Sequence, residues 1–151
     1  MAPHQIRSAV AADYDRIASV VNDWWGRDVL SGLPRLFLNH FHTTSLVAED
    51  NGTMIGFLVG FVSPSEPDEA YIHYVAVDPA RRKDGVARHL YDQFVERARR
   101  QGCKVARAIT SPTNEPSIAF HRRMGFEASS AVRDYNGPGR DMITFTRELT
   151  H

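Results

Sequence analysis

The stretch Val77–Phe94, VDPARRKDGVARHLYDQF, sets two arginines and a lysine ahead of a glycine where an amphipathic helix begins. Val86, Ala87, Leu90, Tyr91, Phe94, Val95 and Ala98 recur at helical spacing, which predicts a helix from about Gly85 to Arg100, closed by Gly102. Ahead of it, YIHYVAV over residues 71–77 predicts a strand that Pro79 helps to end. The first amides of a helix lack intrahelical partners and carry partial positive charge. A strand that ends just before such a helix leaves them open at the sheet edge, a place suited to a diphosphate. Gly85 has no Cβ to hold a ligand off, and Ala87 is nearly as small. Arg81, Arg82 and Lys83 could add charge-assisted bonds. The alternative is an ordinary helix start with solvated cations.

Working outward, HQIRSAV (residues 4–10) predicts a first strand. Ile17, Val20, Val21 and Trp24 mark a helix over 13–24, with Asp13 as its cap and Gly26 at its end. Pro34 opens a short second helix with Leu36, Phe37, His40 and Phe41 on one side. Asn51-Gly52 between two apolar runs predicts a hairpin of strands 44–50 and 53–63. CKVARAIT, beginning at Cys103, reads as a further strand, and Asn114 to Met124 as a helix stopped by Gly125. Phe126–Asp134 and Asp141–Leu149 read as two last strands joined by NGPG. The order β-α-α-β-β-β-α-β-α-β-β implies an α/β (mixed α+β) fold. Its sheet is mixed and mostly antiparallel, with helices on both faces and a parallel pair across the helical crossover.

The 151 residues suit one domain over 1–151. No apolar run approaches 18 residues, so no membrane span is expected, and MAPHQIRSAV lacks the pattern of a signal peptide. Cys103 is the only cysteine, which argues against an internal disulfide and for a cytoplasmic location. Net charge is zero but unevenly placed. Residues 1–80 carry 4 basic and 10 acidic side chains, residues 81–107 carry 9 and 3, and the remainder 5 of each. A cationic block this short fits a compact anionic ligand better than a nucleic acid. No HExxH occurs, and His40 and His42 diverge on a helix, so no metal is expected. Neither GxxxxGK[ST] nor GxGxxG is present.

Val75 to Leu90 resembles the acyl-CoA-binding segment of the GCN5-related N-acetyltransferase superfamily. That segment reads strand, Arg or Gln, two variable residues, Gly, one variable residue, then Gly or Ala. Arg82, Gly85 and Ala87 fill the fixed places, and Lys83 stands where a glycine is common. A second block, NEPSIAFHRRMGF (114–126), is similar to the family's Asn-to-Gly-Phe pattern through Asn114, Ser117, Phe120, Gly125 and Phe126. His121 occupies its usual tyrosine position. The resemblance implies acetyl-CoA as co-substrate, bound where the fourth and fifth strands splay apart. Its pyrophosphate would rest on Arg82, Lys83, Asp84, Gly85, Val86 and Ala87. Its pantetheine arm would run along the fourth strand at Val75 and Val77. Asn114 would fix the helix start or touch the cofactor. Transfer would be direct, which gives Cys103 no required role.

Direct transfer needs a neutral amine, and hence a base, plus a proton donor for the leaving thiolate. The resemblance places the donor at His121; the residue type also suits a polar niche on a helix. His73, inside the fourth strand, is a candidate base or a buried structural histidine, and Glu69 could act through water. Strand alternation puts Tyr71, His73 and Val75 on one face and Ile72, Tyr74 and Ala76 on the other, unless a bulge intervenes. Tyr71, Tyr74, Trp25, Arg27 and Asp28 are candidates for the acceptor site, whereas Trp24 and Phe37 read as core. The acidic first 80 residues suit an amine-bearing acceptor. The leading expectation is N-acetylation of a small-molecule amine. Acetylation of a protein N-terminus or lysine, or acyl-CoA sensing without catalysis, are the alternatives. A homodimer is expected through the last hairpin, with Val132, Ile143 and Phe145 at its edge.

Overall fold

The computed structural model describes residues 4–149, so the first three residues of the opening stretch MAPHQIRSAV lie outside it. Its elements are β1 (Gln5–Ser8), α1 (Tyr14–Trp25), α2 (Leu36–Phe41), β2 (Leu46–Asp50), β3 (Thr53–Val62), β4 (Glu69–Val77), α3 (Val86–Arg100), β5 (Val105–Thr110), α4 (Glu115–Arg123), β6 (Glu127–Ala128) and β7 (Ile143–Glu148). This is the order expected from the sequence. The strands form one seven-stranded sheet in the order β1-β2-β3-β4-β5-β7-β6. β4 and β5 pair in parallel, Glu69–Tyr71 against Val105–Arg107, while β1–β2, β2–β3, β5–β7 and β6–β7 pair antiparallel. The residues fall into two compact units, one running up to Phe61 and including Ile72–Arg97, the other containing Val62–Tyr71 and the chain from Ala98 onward.

In the first unit the β2–β3 hairpin turns at Asn51 (φ 51°) and Gly52 (φ 80°), the paired positive angles of a tight hairpin. Its central residues divide between two helices. Gly56 faces α3 so closely that a Cβ would lie 2.9 Å from Val86 Cγ1. Phe57, on the opposite face by strand alternation, stacks on Trp24 of α1 at 6.2 Å between ring centroids. Ile17, Val21, Leu33, Leu38, Val47, Phe57 and Val59 bury their side chains together beneath α1 and α2. β2 starts at Leu46, two residues later than the sequence suggested, because His42–Thr44 coil into a 3-10 turn. The Thr44 hydroxyl there donates to the Phe41 and Gly60 carbonyls. Asp13 does not cap α1. Its carboxylate accepts the Val10 amide at 2.7 Å and is gripped by Arg7 at 2.9 Å, and Arg7 also reaches Glu49 at 3.1 Å.

In the second unit, the strand expected over 126–134 shrinks to Glu127–Ala128, followed by a single bridge between Val132 and Met142. Side chains supplement the backbone there: the Ser129 amide donates to the Thr144 carbonyl at 2.9 Å while its hydroxyl accepts the Thr144 amide, and Asp134, at φ 56°, accepts the Gly139 amide. β7 lies between β5 and β6. Phe145 is fully buried and Ile143 nearly so. Neither provides the exposed edge expected of them; only Val132, 38% exposed, does.

Candidate active site

The turn after β4 is a 3-10 helix, Pro79–Asp84, not the direct helix start expected at Gly85. Asp78 opens it, its carboxylate accepting the Ala80 amide and its carbonyl the Arg81 amide. Gly85 then reverses the backbone at φ 75°, ψ 19°, a conformation that penalises a Cβ, and α3 begins one residue later. A Cβ at Gly85 would meet nothing within 4 Å, so this corner is open. The His89 amide donates to the Gly85 carbonyl at 3.0 Å as the first helical bond. The amides of Val86, Ala87 and Arg88 therefore precede the ladder at the positive end of the α3 dipole. Such a corner can accept an anion on main-chain N–H groups.

The charged side chains of the turn divide in role. Arg81 bridges Asp50 at 2.9 Å and Asp84 at 2.5 Å, pinning the turn to the hairpin. Asp84 thus has one carboxylate oxygen, Oδ2, engaged by Arg81. Arg82 and Lys83 are exposed, and the Arg82 guanidinium donates to the Trp24 carbonyl at the end of α1. Val86 is fully buried, its side chain against Gly56, so it positions the helix. On β4, the Val75 carbonyl accepts the Trp25 indole N–H at 3.1 Å, and Val77 is buried.

The strict alternation expected along β4 fails at His73 and Tyr74. Their rings lie 4.6 Å apart, and both reach the same loop. His73 Nε2 meets the Gly32 carbonyl at 2.7 Å, and the Tyr74 hydroxyl donates to the Val29 carbonyl at 2.8 Å. Phe37, expected only as core, stacks on His73 with centroids 4.1 Å apart and planes 10° apart. Trp25 stacks on Tyr74 at 5.3 Å, and Arg27 lies over Trp25 at 5.4 Å. Of the acceptor candidates, Trp25, Arg27 and Tyr74 come together, while Asp28 is exposed nearby in sequence. A carbonyl can only accept, so Nε2 of neutral His73 carries the hydrogen and Nδ1 the lone pair. Burial lowers the pKa of His73 below its ordinary 6.5, partly offset by the Gly32 bond, and so keeps the ring neutral at pH 7. Burial likewise raises the pKa of Tyr74.

The second unit holds the other candidates. Glu69 is bound by the Arg107 guanidinium, which also donates to the Thr146 hydroxyl at 3.0 Å. That pairing fixes Glu69 as an ion-pair member. Burial, with Tyr135 adding to it, pushes the Tyr71 pKa up to about 12. Asn114 caps α4, accepting the Ser117 amide at 3.3 Å, so its side chain is engaged in starting the helix. His121 is 6% exposed and lies flat on Phe145, centroids 4.1 Å apart. Its Nδ1 donates to the Ser117 carbonyl at 2.8 Å, which leaves the lone pair on Nε2. Burial holds its pKa below the ordinary value, with the Ser117 bond opposing. Among the described residues, no group of three His, Cys, Asp or Glu side chains could hold a metal ion, and no helix is long and apolar enough to cross a membrane.

The pattern of the Acetyltransferase (GNAT) family matches residues 14–126, and the chain belongs to that family. An L-2,4-diaminobutyric acid acetyltransferase of Virgibacillus pantothenticus is 35% identical over 82 residues, 54% of this chain and 52% of that protein. The chain spans about half the length of the first such relatives. Among solved structures, Ard1 from Thermoplasma volcanium superposes with a TM-score of 0.83 at 23% identity, covering all of both chains. Diaminobutyrate acetyltransferase EctA from Paenibacillus lautus, solved with L-2,4-diaminobutyric acid and coenzyme A, gives 0.76 at 19% identity, covering 100% of this chain and 98% of that one. These likenesses establish the fold.

Proposed function

We propose that this chain is a single acetyl-CoA-dependent N-acetyltransferase domain over residues 1–151, transferring acetyl to a primary amine of a small molecule. The observation that carries the reading is the corner at Gly85, where an exposed glycine with open space beside it immediately precedes the first turn of α3. The diphosphate of acetyl-CoA rests on the backbone of Arg82–Ala87, with Arg82 and Lys83 supplying positive charge. Its pantetheine arm follows β4 past Val75 and Val77. The relatives named for L-2,4-diaminobutyric acid favour a compact diamine as acceptor, and the acidic first 80 residues suit such a cation. Trp25, Arg27, Asp28, Tyr71 and Tyr74 are the residues assigned to hold it. A homodimer in the cytoplasm belongs to the same reading.

In the reaction the amine nitrogen attacks the thioester carbonyl carbon. A C–N bond forms, and the C–S bond breaks as the tetrahedral intermediate collapses. His73 Nδ1 takes the proton the amine loses, acting as base from a neutral ring. The departing thiolate takes a proton to become CoA–SH; His121 is assigned as its donor, while Glu69, held by Arg107, is left to a supporting role through water. Asn114 fixes the start of α4.

The experiment is calorimetry with acetyl-CoA on the parental protein and on Arg82→Glu, with folding checked by circular dichroism, followed by a thiol-release screen of diamines. Reversing this charge should weaken binding at least about ten-fold, a loss of roughly 1.4 kcal/mol. Equal affinity for both proteins removes the turn assignment. Tight binding with no turnover on any amine would favour an acyl-CoA sensor.

A further inference from the structure

We propose that Asn22, a helix residue outside the acceptor candidates, is a positioning residue that sets His73 in the orientation the reaction needs; this rests on His73 being the base, as assigned above. The Asn22 side chain accepts two backbone N–H groups, from Val29 at 2.8 Å and Leu30 at 3.0 Å. Two amide donors require the oxygen of the carboxamide at that point, which fixes the side chain's orientation. The Asn22 main-chain carbonyl holds the other end of the same loop, accepting the Gly26 amide at 2.9 Å and the Arg27 amide at 3.2 Å. One residue in the last turn of α1 therefore clasps both ends of the segment from Gly26 to Leu30.

What that segment presents is a pair of carbonyls to β4. The Val29 carbonyl receives the Tyr74 hydroxyl, and it also accepts the Gly32 amide at 3.1 Å. The Gly32 carbonyl, three residues further on, receives His73 Nε2–H. A Cβ at position 32 would come within 2.1 Å of the Tyr74 hydroxyl oxygen, so any other residue there must displace that hydroxyl. The chain of contacts is thus Asn22 to Val29 and Leu30, through one tight turn to Gly32, and from Gly32 to the imidazole. With Nε2–H held by a carbonyl and the ring stacked on Phe37, both tautomer and ring plane of His73 are fixed, and Nδ1 is kept as the proton acceptor. Without the clasp, the Gly32 carbonyl loses its register, and the ring turns and exchanges tautomers.

The test compares Asn22→Ala with Asn22→Asp. The aspartate keeps an oxygen that can accept both amides, whereas alanine keeps none. Three quantities are read on each: kcat with a diamine acceptor, KM for acetyl-CoA, and the slowly exchanging His73 Nε2–H proton by NMR at pH 7. Asn22→Ala should lower kcat about ten-fold, within the range general-base catalysis supplies. KM for acetyl-CoA should stay unchanged, and the Nε2–H signal should be lost. Asn22→Asp should restore the signal and most of kcat. If Asn22→Ala does not fold, Asn22→Ser takes its place with an intermediate loss expected, since its shorter hydroxyl reaches at most one amide. Parental kcat and an intact Nε2–H signal in the alanine or serine variant overturn the proposal. His73→Gln at parental turnover would instead overturn the base assignment, while the NMR comparison still decides whether Asn22 fixes the ring.

Discussion

The buried His121 and the half-buried His73 are both imidazoles bonded to a backbone carbonyl, yet the nitrogen bonded differs. His73 is held at Nε2 and His121 at Nδ1, so their lone pairs sit on opposite sides of the ring. To act as an acid, His121 must carry protons on both nitrogens, and burial confines that form to pH values below its lowered pKa. Its contribution should therefore be present at low pH and vanish as pH rises through that pKa. The ratio of parental to His121→Phe turnover should be about ten or more at the acid end of the profile and fall toward one as pH rises through that lowered pKa. A ratio that does not vary with pH would leave His121 as a packing residue on Phe145. The sequence could point to both histidines through their motif and strand positions. It could not point to Asn22, since nothing in the helical pattern separates it from any polar surface residue, and it undervalued Phe37, whose apolar type fits core and ring-stacking equally well.

At the scale of elements, the site depends on how closely α3 approaches β3. Gly56 lets Val86, Leu90 and the Ala76 carbonyl come within what would be 2.9–3.4 Å of a side chain at that point. Since Val86 is the first residue of α3, this contact also sets where the first turn of α3 stands. Gly56→Ala should cost about 1–3 kcal/mol through overpacking, read as a lower urea midpoint, and should weaken acetyl-CoA binding by shifting the first turn of α3. Unchanged stability would mean that the helix yields without cost. Helices and strands with clear apolar periods were legible almost to the residue. The departures lie where side-chain bonds are mixed into the backbone pairing, as with Ser129 and Asp134, or where a glycine joins two kinds of helix, as at Gly85. In β4 the alternation rule failed because one loop draws two successive side chains to itself.

For the whole molecule, the placement of β7 between β5 and β6 changes the dimer expected from the last hairpin. Pairing through it would rest on Val132 and on Tyr135, 47% exposed, in place of Ile143 and Phe145. Sedimentation should give twice the chain mass at micromolar concentration and the monomer mass for Val132→Glu; a monomer in the parental protein removes the dimer. The fold was readable because its element order and two short motifs survive without any knowledge of contacts. The acceptor side was not, because it is built from loop carbonyls, which no residue type advertises. One further feature has practical weight. Cys103 is 2% exposed, its Sγ lies 3.8 Å from the Pro67 carbonyl, and burial together with Asp68 raises its pKa. The only sulfhydryl of the protein is thus shielded and poorly ionised, so a colorimetric thiol reagent added to a running reaction will count liberated coenzyme against a nearly silent background.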